Sequence, residues 1–387
     1  MHSQSKYYYE IDMLRGLACL AVLLYHLPIY RVVHIPFAFS GVAGVRLFFV
    51  ISGFIIAFSI NKISSSECNG IIASFLNGFK NNKSNIYNFW YRRFVRLFPG
   101  LCLLFCSIFV VVIYLGWQRN ILPESIFGFI KYLSLFCFLD NTGTTPLYPN
   151  AVAGIMASVG ASIVWTLNCE ILFYLTMPFL MLFRNFRKFL PYIWLGFFLI
   201  KFIIFIFVPG AVIYFSKVTH FDEFFLGVLI ALYYDKISLN STILNIMTIA
   251  AVSNFAIGNP AIEFSYGDYL NQLFSSGVLV YVAALQRNKL KLPYIGPMLH
   301  FVGVRSYFIY LMHLLINFVL SAPVSLLYKN LAVKYLHIQN MIDKNSATLD
   351  QFKNLVVVVV TLILSDLFYR FIERPFIEKN KHKYLAK

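Results

Sequence analysis

Charge is scarce in this chain: only 12% of its 387 residues are Asp, Glu, Lys or Arg. Soluble domains run near a quarter charged, so the composition excludes an ordinary soluble globule and implies an integral membrane protein. Acidic residues are the scarcer sign, 16 against 32 basic ones. The net charge of +16 does not call for a nucleic-acid partner, because basic residues gather on the cytoplasmic loops of membrane proteins. The six cysteines (Cys19, Cys68, Cys102, Cys106, Cys137 and Cys169) contain no CxxC pair, which excludes a metal knuckle and argues against a disulfide framework. They read as small packing residues. Also missing are a GxSxG elbow, an HExxH helix, a Walker loop and a GxGxxG turn, so no hydrolase, zinc-protease, nucleotidase or dinucleotide signature is present. No metal is implied. There is no repeat of fixed period and no second soluble domain, so residues 1–387 read as a single membrane domain.

Long apolar runs are what the chain has in abundance, with 41 Phe and 25 Tyr suited to lipid-facing surface and interfacial belts. The runs predict an all-α polytopic helix bundle of ten spans, near 11–29, 38–60, 94–116, 160–183, 190–208, 219–234, 241–258, 270–286, 298–320 and 354–372. A shorter run at 126–139 is too short to span with ease and reads as re-entrant or interfacial. The longest polar breaks are 61–93, 140–150 and 329–354. Glu10, Asp12 and Arg15 lead into the first run without a convincing cleavage site, so it reads as an uncleaved span. Basic residues crowd the segments that a cytoplasmic N-terminus would place inside, among them Lys80, Lys83, Arg92, Arg187, Lys188 and the stretch after 369. That asymmetry predicts both termini in the cytoplasm and an even number of spans in the cell membrane.

Polar residues inside these runs are the candidates for chemistry. Arg15 and His26 are eleven residues apart, about three helical turns, so both project from one face with ~16 Å between them along the axis. An arginine in hydrocarbon needs a cavity or a partner, and Asp12 at i−3 is one. The alternative is an Arg15 that snorkels to the interface and a His26 satisfied by a neighbouring helix. Arg93 and Arg96 are i, i+3 neighbours at the cytoplasmic start of the third span, where the helix dipole also favours anions. With Arg15 they suit a phosphate-bearing ligand, or else they are ordinary inside-positive decoration. Glu170 stands in the apolar SIVWTLNCEILFYL with Thr166 and Tyr174 one turn to either side. It is a functional carboxylate or one end of a buried ion pair. In GVRSYFIYLMHLL, Ser306, Tyr310 and His313 form an i, i+4, i+7 polar stripe. Two histidines and a glutamate at related depths predict a polar chamber in the outer half of the bundle. Gly53 and Gly227 read as points of close helix packing rather than phosphate loops.

These residues carry a resemblance that runs nearly end to end. The R-x10-H of Arg15 and His26, GVRLFFVISGF, RRFVRLFP, WTLNCEILFYL, FDEFFLG, SYFIYLMH and IERP follow one another as they do in the acyltransferase-3 family of polytopic membrane O-acyltransferases. That family includes bacterial acetyltransferases of cell-surface polysaccharides. The resemblance implies a catalytic His26 and an acyl-CoA donor, most often acetyl-CoA, held by Arg15, Arg93 and Arg96. The implied acceptor is a hydroxyl of a surface sugar or a lipid-linked polysaccharide precursor. Some members append an extracytoplasmic hydrolase-like domain, and none is expected in this chain. Within that frame Glu170 is expected to orient or stabilise the His26 imidazole as a second catalytic residue. Ser306, Tyr310 and His313 are expected to bind sugar hydroxyls. His26 acts either as the base that deprotonates the acceptor or as an acyl carrier. The rival class is a secondary transporter or lipid-linked sugar flippase, which also places ionisable groups inside a bundle. Inverted halves and paired broken helices, its usual marks, are not evident here.

Overall fold

The computed structural model describes residues 8–27, 40–60, 63, 71–137, 161–183, 185–207, 220–237, 239–256, 266–286, 292–336 and 346–385. Helices account for nearly all of them and no strand occurs among the described residues. In chain order they are α1 (Tyr9–His26), α2 (Gly41–Ser59), α3 (Ile71–Gln118) and α4 (Leu122–Cys137), then a short 3-10 turn (Ala161–Val164) leading into α5 (Trp165–Leu180). There follow α6 (Phe186–Phe207), α7 (Phe221–Tyr233), α8 (Ser241–Ala256), α9 (Tyr266–Gln286), α10 (Ile295–Leu336) and α11 (Ser346–Phe368). A π-helical turn (Tyr369–Glu373) joins α11 to α12 (Arg374–Leu385).

Each of the ten predicted spans falls on a helix. Among the described residues four segments are long and apolar enough to cross a bilayer by length and composition: Gly41–Ser59, Ile72–Gln118, Ile295–Leu327 and Leu349–Asn380. They make this a multi-pass membrane protein. The predicted polar break at 61–93 is largely helical. α3 starts at Ile71 and runs for 48 residues, about 72 Å at 1.5 Å each, more than twice the ~30 Å hydrocarbon thickness. Its polar first half, rich in Asn and Lys, therefore stands outside the bilayer, and only its later, apolar half is of spanning character. The short run at 126–139 becomes α4, folded back on α3 through a turn at Asn120 in the left-handed region (φ 55°). The predicted break at 140–150 lies outside the described residues.

Hydrocarbon offers no hydrophobic gain for helix against helix, so close approach of backbones through small residues does the packing. Gly53 and Gly227 meet that expectation. A Cβ on Gly53 would stand 2.0 Å from the Phe224 carbonyl oxygen, and one on Gly227 would stand 2.0 Å from that of Val50, so α2 and α7 touch backbone to backbone. A second crossing joins α1 to α10. A Cβ on Gly16 would lie 1.9 Å from the Leu299 oxygen, and one on Gly303 would lie 1.8 Å from the Asp12 oxygen.

A buried ionic network ties α2, α6, α7 and α9. Lys201 Nζ lies 2.8 Å from Asp222 Oδ1 and 3.7 Å from Glu223 Oε1, and Arg46 Nε lies 3.8 Å from the same Glu223 oxygen. Arg46 Nη1 donates to Gln272 Oε1 at 2.8 Å, and the Tyr269 hydroxyl donates to Asp222. Both cations also lie over the Tyr269 ring, at 4.8 and 4.3 Å. Two acids and two bases match in charge, so the cluster lowers the cost of burying each of them.

The α1–α10 crossing generates a stability prediction. Gly303→Ala must push the helices apart and should cost about 1–3 kcal/mol, lowering the thermal midpoint of detergent-purified protein by several degrees. Gly196→Ala, where an added Cβ meets nothing within 4 Å, is the control and should be neutral or slightly stabilising. Equal stability of the two variants would contradict the backbone contact.

Candidate active site

The crossing at Gly16 and Gly303 lays α1 alongside α10 in parallel, which brings the two polar faces read from the sequence into contact. At the lower end Arg15 donates from Nη1 to Asp12 Oδ1 (3.2 Å) and from Nη2 to Ser306 Oγ (3.1 Å). At the upper end the ring centroids of His26 and His313 are 5.1 Å apart. Beside the Arg15 end lies a cavity with about 730 Å³ of unfilled space, its open mouth included, lined by α1, α2, α3, α5 and α10.

Its polar wall carries Arg15, Arg93, Arg96, Ser52, Thr166, Glu170, Tyr174, Ser306 and Tyr310. Arg93 donates to Ser59 Oγ at 2.5 Å and lies over the rings of Phe89 and Tyr174, at 5.4 and 5.3 Å. Arg96 makes no hydrogen bond or ion pair among the described residues, so its guanidinium is uncommitted. Three guanidinium groups share this wall; Glu170 is the carboxylate that lines it with them, and Arg15 is also paired with Asp12, so Arg93 and Arg96 are the groups placed to meet an anion.

Glu170 lies at this arginine end. It accepts from Ser52 Oγ (3.1 Å) and from the Tyr174 hydroxyl, whose ring is the one that Arg93 covers. The expectation that Glu170 orients His26 finds no contact in the structure. The partner of His26 is instead His313, and the reason is azimuthal. Depth along a helix can be read from sequence, but which neighbour a face meets is decided by the α1–α10 crossing.

The histidine pair has a definite proton arrangement, assigned from its hydrogen-bond network. His313 Nδ1 sits 3.0 Å from the Ile309 oxygen and 2.8 Å from the Tyr310 oxygen, both acceptors only, so Nδ1 carries the hydrogen. In the neutral ring His313 Nε2 is then an acceptor. His26 Nδ1, 3.0 Å from the Val22 oxygen and 3.2 Å from His313 Nε2, donates to both. The lone pair of His26 is therefore on Nε2, at the exposed end of α1. His313 is 1% exposed with both nitrogens engaged, so it supports His26 rather than offering a surface to a sugar. Ser306 belongs with Arg15. Of the predicted polar stripe, Tyr310 faces the cavity beyond Arg15's reach: Thr166 donates to its hydroxyl at 2.8 Å, and its ring lies 6.2 Å from that of His313. Tyr310 thus joins the cavity to the histidines, which are not part of its wall.

Sequence reasoning passed over Ser52 and Ser59, the partners of Glu170 and Arg93. They are seven residues apart in an otherwise apolar helix, two turns on one face, and that spacing was the available signal.

A family model described as an acyltransferase domain matches residues 8–370. Among curated proteins the chain is similar to the peptidoglycan O-acetyltransferase OatA of Listeria monocytogenes, 26% identical over 97% of this chain and 56% of that protein. It is also similar to the O-acetyltransferase OatA of Staphylococcus aureus, 24% identical over 97% of this chain and 58% of that protein. The chain thus spans a little over half the length of these relatives. No solved structure matches it.

The tautomer argument can be tested without substrate. His313→Leu removes the acceptor of His26 Nδ1–H, so nitrogen NMR of labelled histidine should show one His26 tautomer in the wild type and a mixture in the variant. An unchanged population would assign the tautomer to the Val22 carbonyl alone.

Proposed function

The chain belongs to the acyltransferase-3 family, and from that membership and the cavity's two chemically distinct ends we propose that it is a membrane O-acetyltransferase. In this reading it carries acetyl from acetyl-CoA to a hydroxyl of a surface carbohydrate, such as a peptidoglycan sugar, the O-antigen of lipopolysaccharide or a lipid-linked polysaccharide precursor. The observation that supports it most is Arg96, without a hydrogen bond or ion pair among the described residues, beside Arg15 and Arg93 on the wall of a cavity that Tyr310 also lines, next to the His313–His26 pair. The relatives' names point to the same reaction class. Ten spans, both termini in the cytoplasm and residence in the cell membrane complete the topology of the proposal, and they put the arginines on the cytoplasmic side.

The chemistry then runs as follows. Arg15, Arg93 and Arg96 grip the donor's phosphates with charge-assisted hydrogen bonds. The donor's arm extends along the α1 face past Tyr310, placing the thioester below His26. His26 Nε2 takes the proton of the acceptor hydroxyl, and the oxygen attacks the thioester carbonyl. The tetrahedral centre collapses, the carbon–sulfur bond breaks, and the thiolate leaves and recovers the proton from the imidazolium. The products are the sugar ester and the free thiol of coenzyme A. His313, accepting from Nδ1–H, keeps the reactive nitrogen aimed outward. Glu170 balances the arginine wall, a role in place of the one expected from sequence.

Labelled acetyl transfer by purified protein tests the reading. His26→Ala should lower turnover by about 10²–10⁴-fold while donor binding survives. Arg15→Lys should fold normally and weaken coenzyme A binding about tenfold or more, because an ammonium cannot span Asp12 and Ser306 while it also reaches phosphate. Near-normal turnover in His26→Ala would remove the base. Full donor affinity in Arg15→Lys would reduce Arg15 to an interfacial anchor.

A further inference from the structure

Tyr307 follows Ser306 in the SYFIYLMH stretch, and the mechanism above gives it no part. It is 8% exposed, and its hydroxyl donates to the Leu97 carbonyl of α3 at 2.6 Å. Its ring fills the place where α3 lacks a side chain: a Cβ on Gly100 would stand 2.4 Å from Tyr307 Cε1. Tyr307 and Leu97 both line the cavity, together with Arg15, Arg93, Arg96 and Ser306.

The stretch of α3 that Tyr307 grips is locally weak. Pro99 has no N–H for the Val95 carbonyl, so the helix is one ladder bond short at the turn that carries Arg96. Of the three cavity arginines, Arg96 also has the least to hold it. Arg15 bonds Asp12 and Ser306, Arg93 bonds Ser59, and Arg96 makes neither hydrogen bond nor ion pair among the described residues. The place of its guanidinium is therefore set by the backbone beneath it, and Leu97 is the next residue of that backbone. Successive residues of a helix point about 100° apart, so Ser306 and Tyr307 of α10 reach two different neighbours. Ser306 accepts from Arg15 of α1 at 3.1 Å, while Tyr307 bonds the Arg96 turn of α3.

We infer that Tyr307 is a positioning residue for the donor-phosphate site: its bond to the Leu97 carbonyl holds the Arg93–Arg96 turn of α3 in register with Arg15, so that guanidinium groups from two helices converge on one anion. The inference rests on the donor reading above. Tyr307 acts through Arg96, whose side chain has no tether of its own. Two adjacent residues of α10 thus set the arginines of both α1 and α3.

Calorimetry on detergent-purified protein with coenzyme A and uncharged pantetheine tests this. Tyr307→Phe keeps the ring against Gly100 and removes only the hydroxyl. It should bind coenzyme A about three- to tenfold more weakly, the range expected for one lost hydrogen bond, and bind pantetheine as the wild type does. With Arg96→Ala already in place, Tyr307→Phe should weaken coenzyme A little further, because the group it positions is gone. Gly100→Ala, which displaces the ring and leaves the hydroxyl intact, should reproduce the loss and stands in if Tyr307→Phe folds poorly. Unchanged coenzyme A binding in both variants, an equal loss for pantetheine, or the same fold-loss with and without Arg96 would overturn the inference while leaving the donor site standing. Wild-type protein that binds coenzyme A no better than pantetheine would overturn the donor reading and this inference with it.

Discussion

Two glycines set the distance on which the rest of the site depends. Gly16 on α1 and Gly303 on α10 let the two backbones touch, with each missing Cβ occupying space taken by the other helix's carbonyl. In a bilayer this contact cannot be replaced by a larger apolar surface, because lipid competes for it equally well. The crossing lies one residue from Arg15 and three from Ser306. From there the parallel helices carry the arginine end and the histidine end at matched heights. A Cβ at either glycine would widen both junctions at once.

Electrostatics then divides the passage. On the arginine wall, Arg15 is paired with Asp12 and Arg93 is bonded to Ser59, while Arg96 makes no ion pair among the described residues. Among the described residues the histidine end has no acid among its hydrogen-bond partners; backbone carbonyls face Nδ1 of each ring. In the proposed reaction the histidine end supplies the base and the arginine wall the donor site, with the Thr166–Tyr310 hydrogen bond between them. The separate network of Arg46, Lys201, Asp222, Glu223 and Tyr269, extended by Gln272 and His220, suits a scaffold holding α2 and α7 against the cavity.

The apolar runs made all ten helical stretches legible, and the 3.6-residue period placed Arg15 with His26, and Ser306 with Tyr310 and His313, on shared faces. Those readings depend on position along one helix, which composition and spacing encode. What remained hidden depends on how helices meet. Glu170 and His26 looked like neighbours by depth, but the α1–α10 crossing gives His26 to His313 and leaves Glu170 with Ser52 and Tyr174. The Lys201–Asp222 pair joins two helices whose facing the sequence does not show.

The account's central claim is that the arginines and the histidine pair are two ends of one passage through the bilayer, open to donor on one side and acceptor on the other. Proteoliposomes with the protein in a single orientation test this most directly, with labelled acetyl-CoA supplied on the face of Arg93 and Arg96 and a sugar acceptor enclosed on the face of His26. The account predicts acetylated sugar on the enclosed side, and none when donor and acceptor are exchanged. Transfer that requires donor and acceptor on the same face would contradict it.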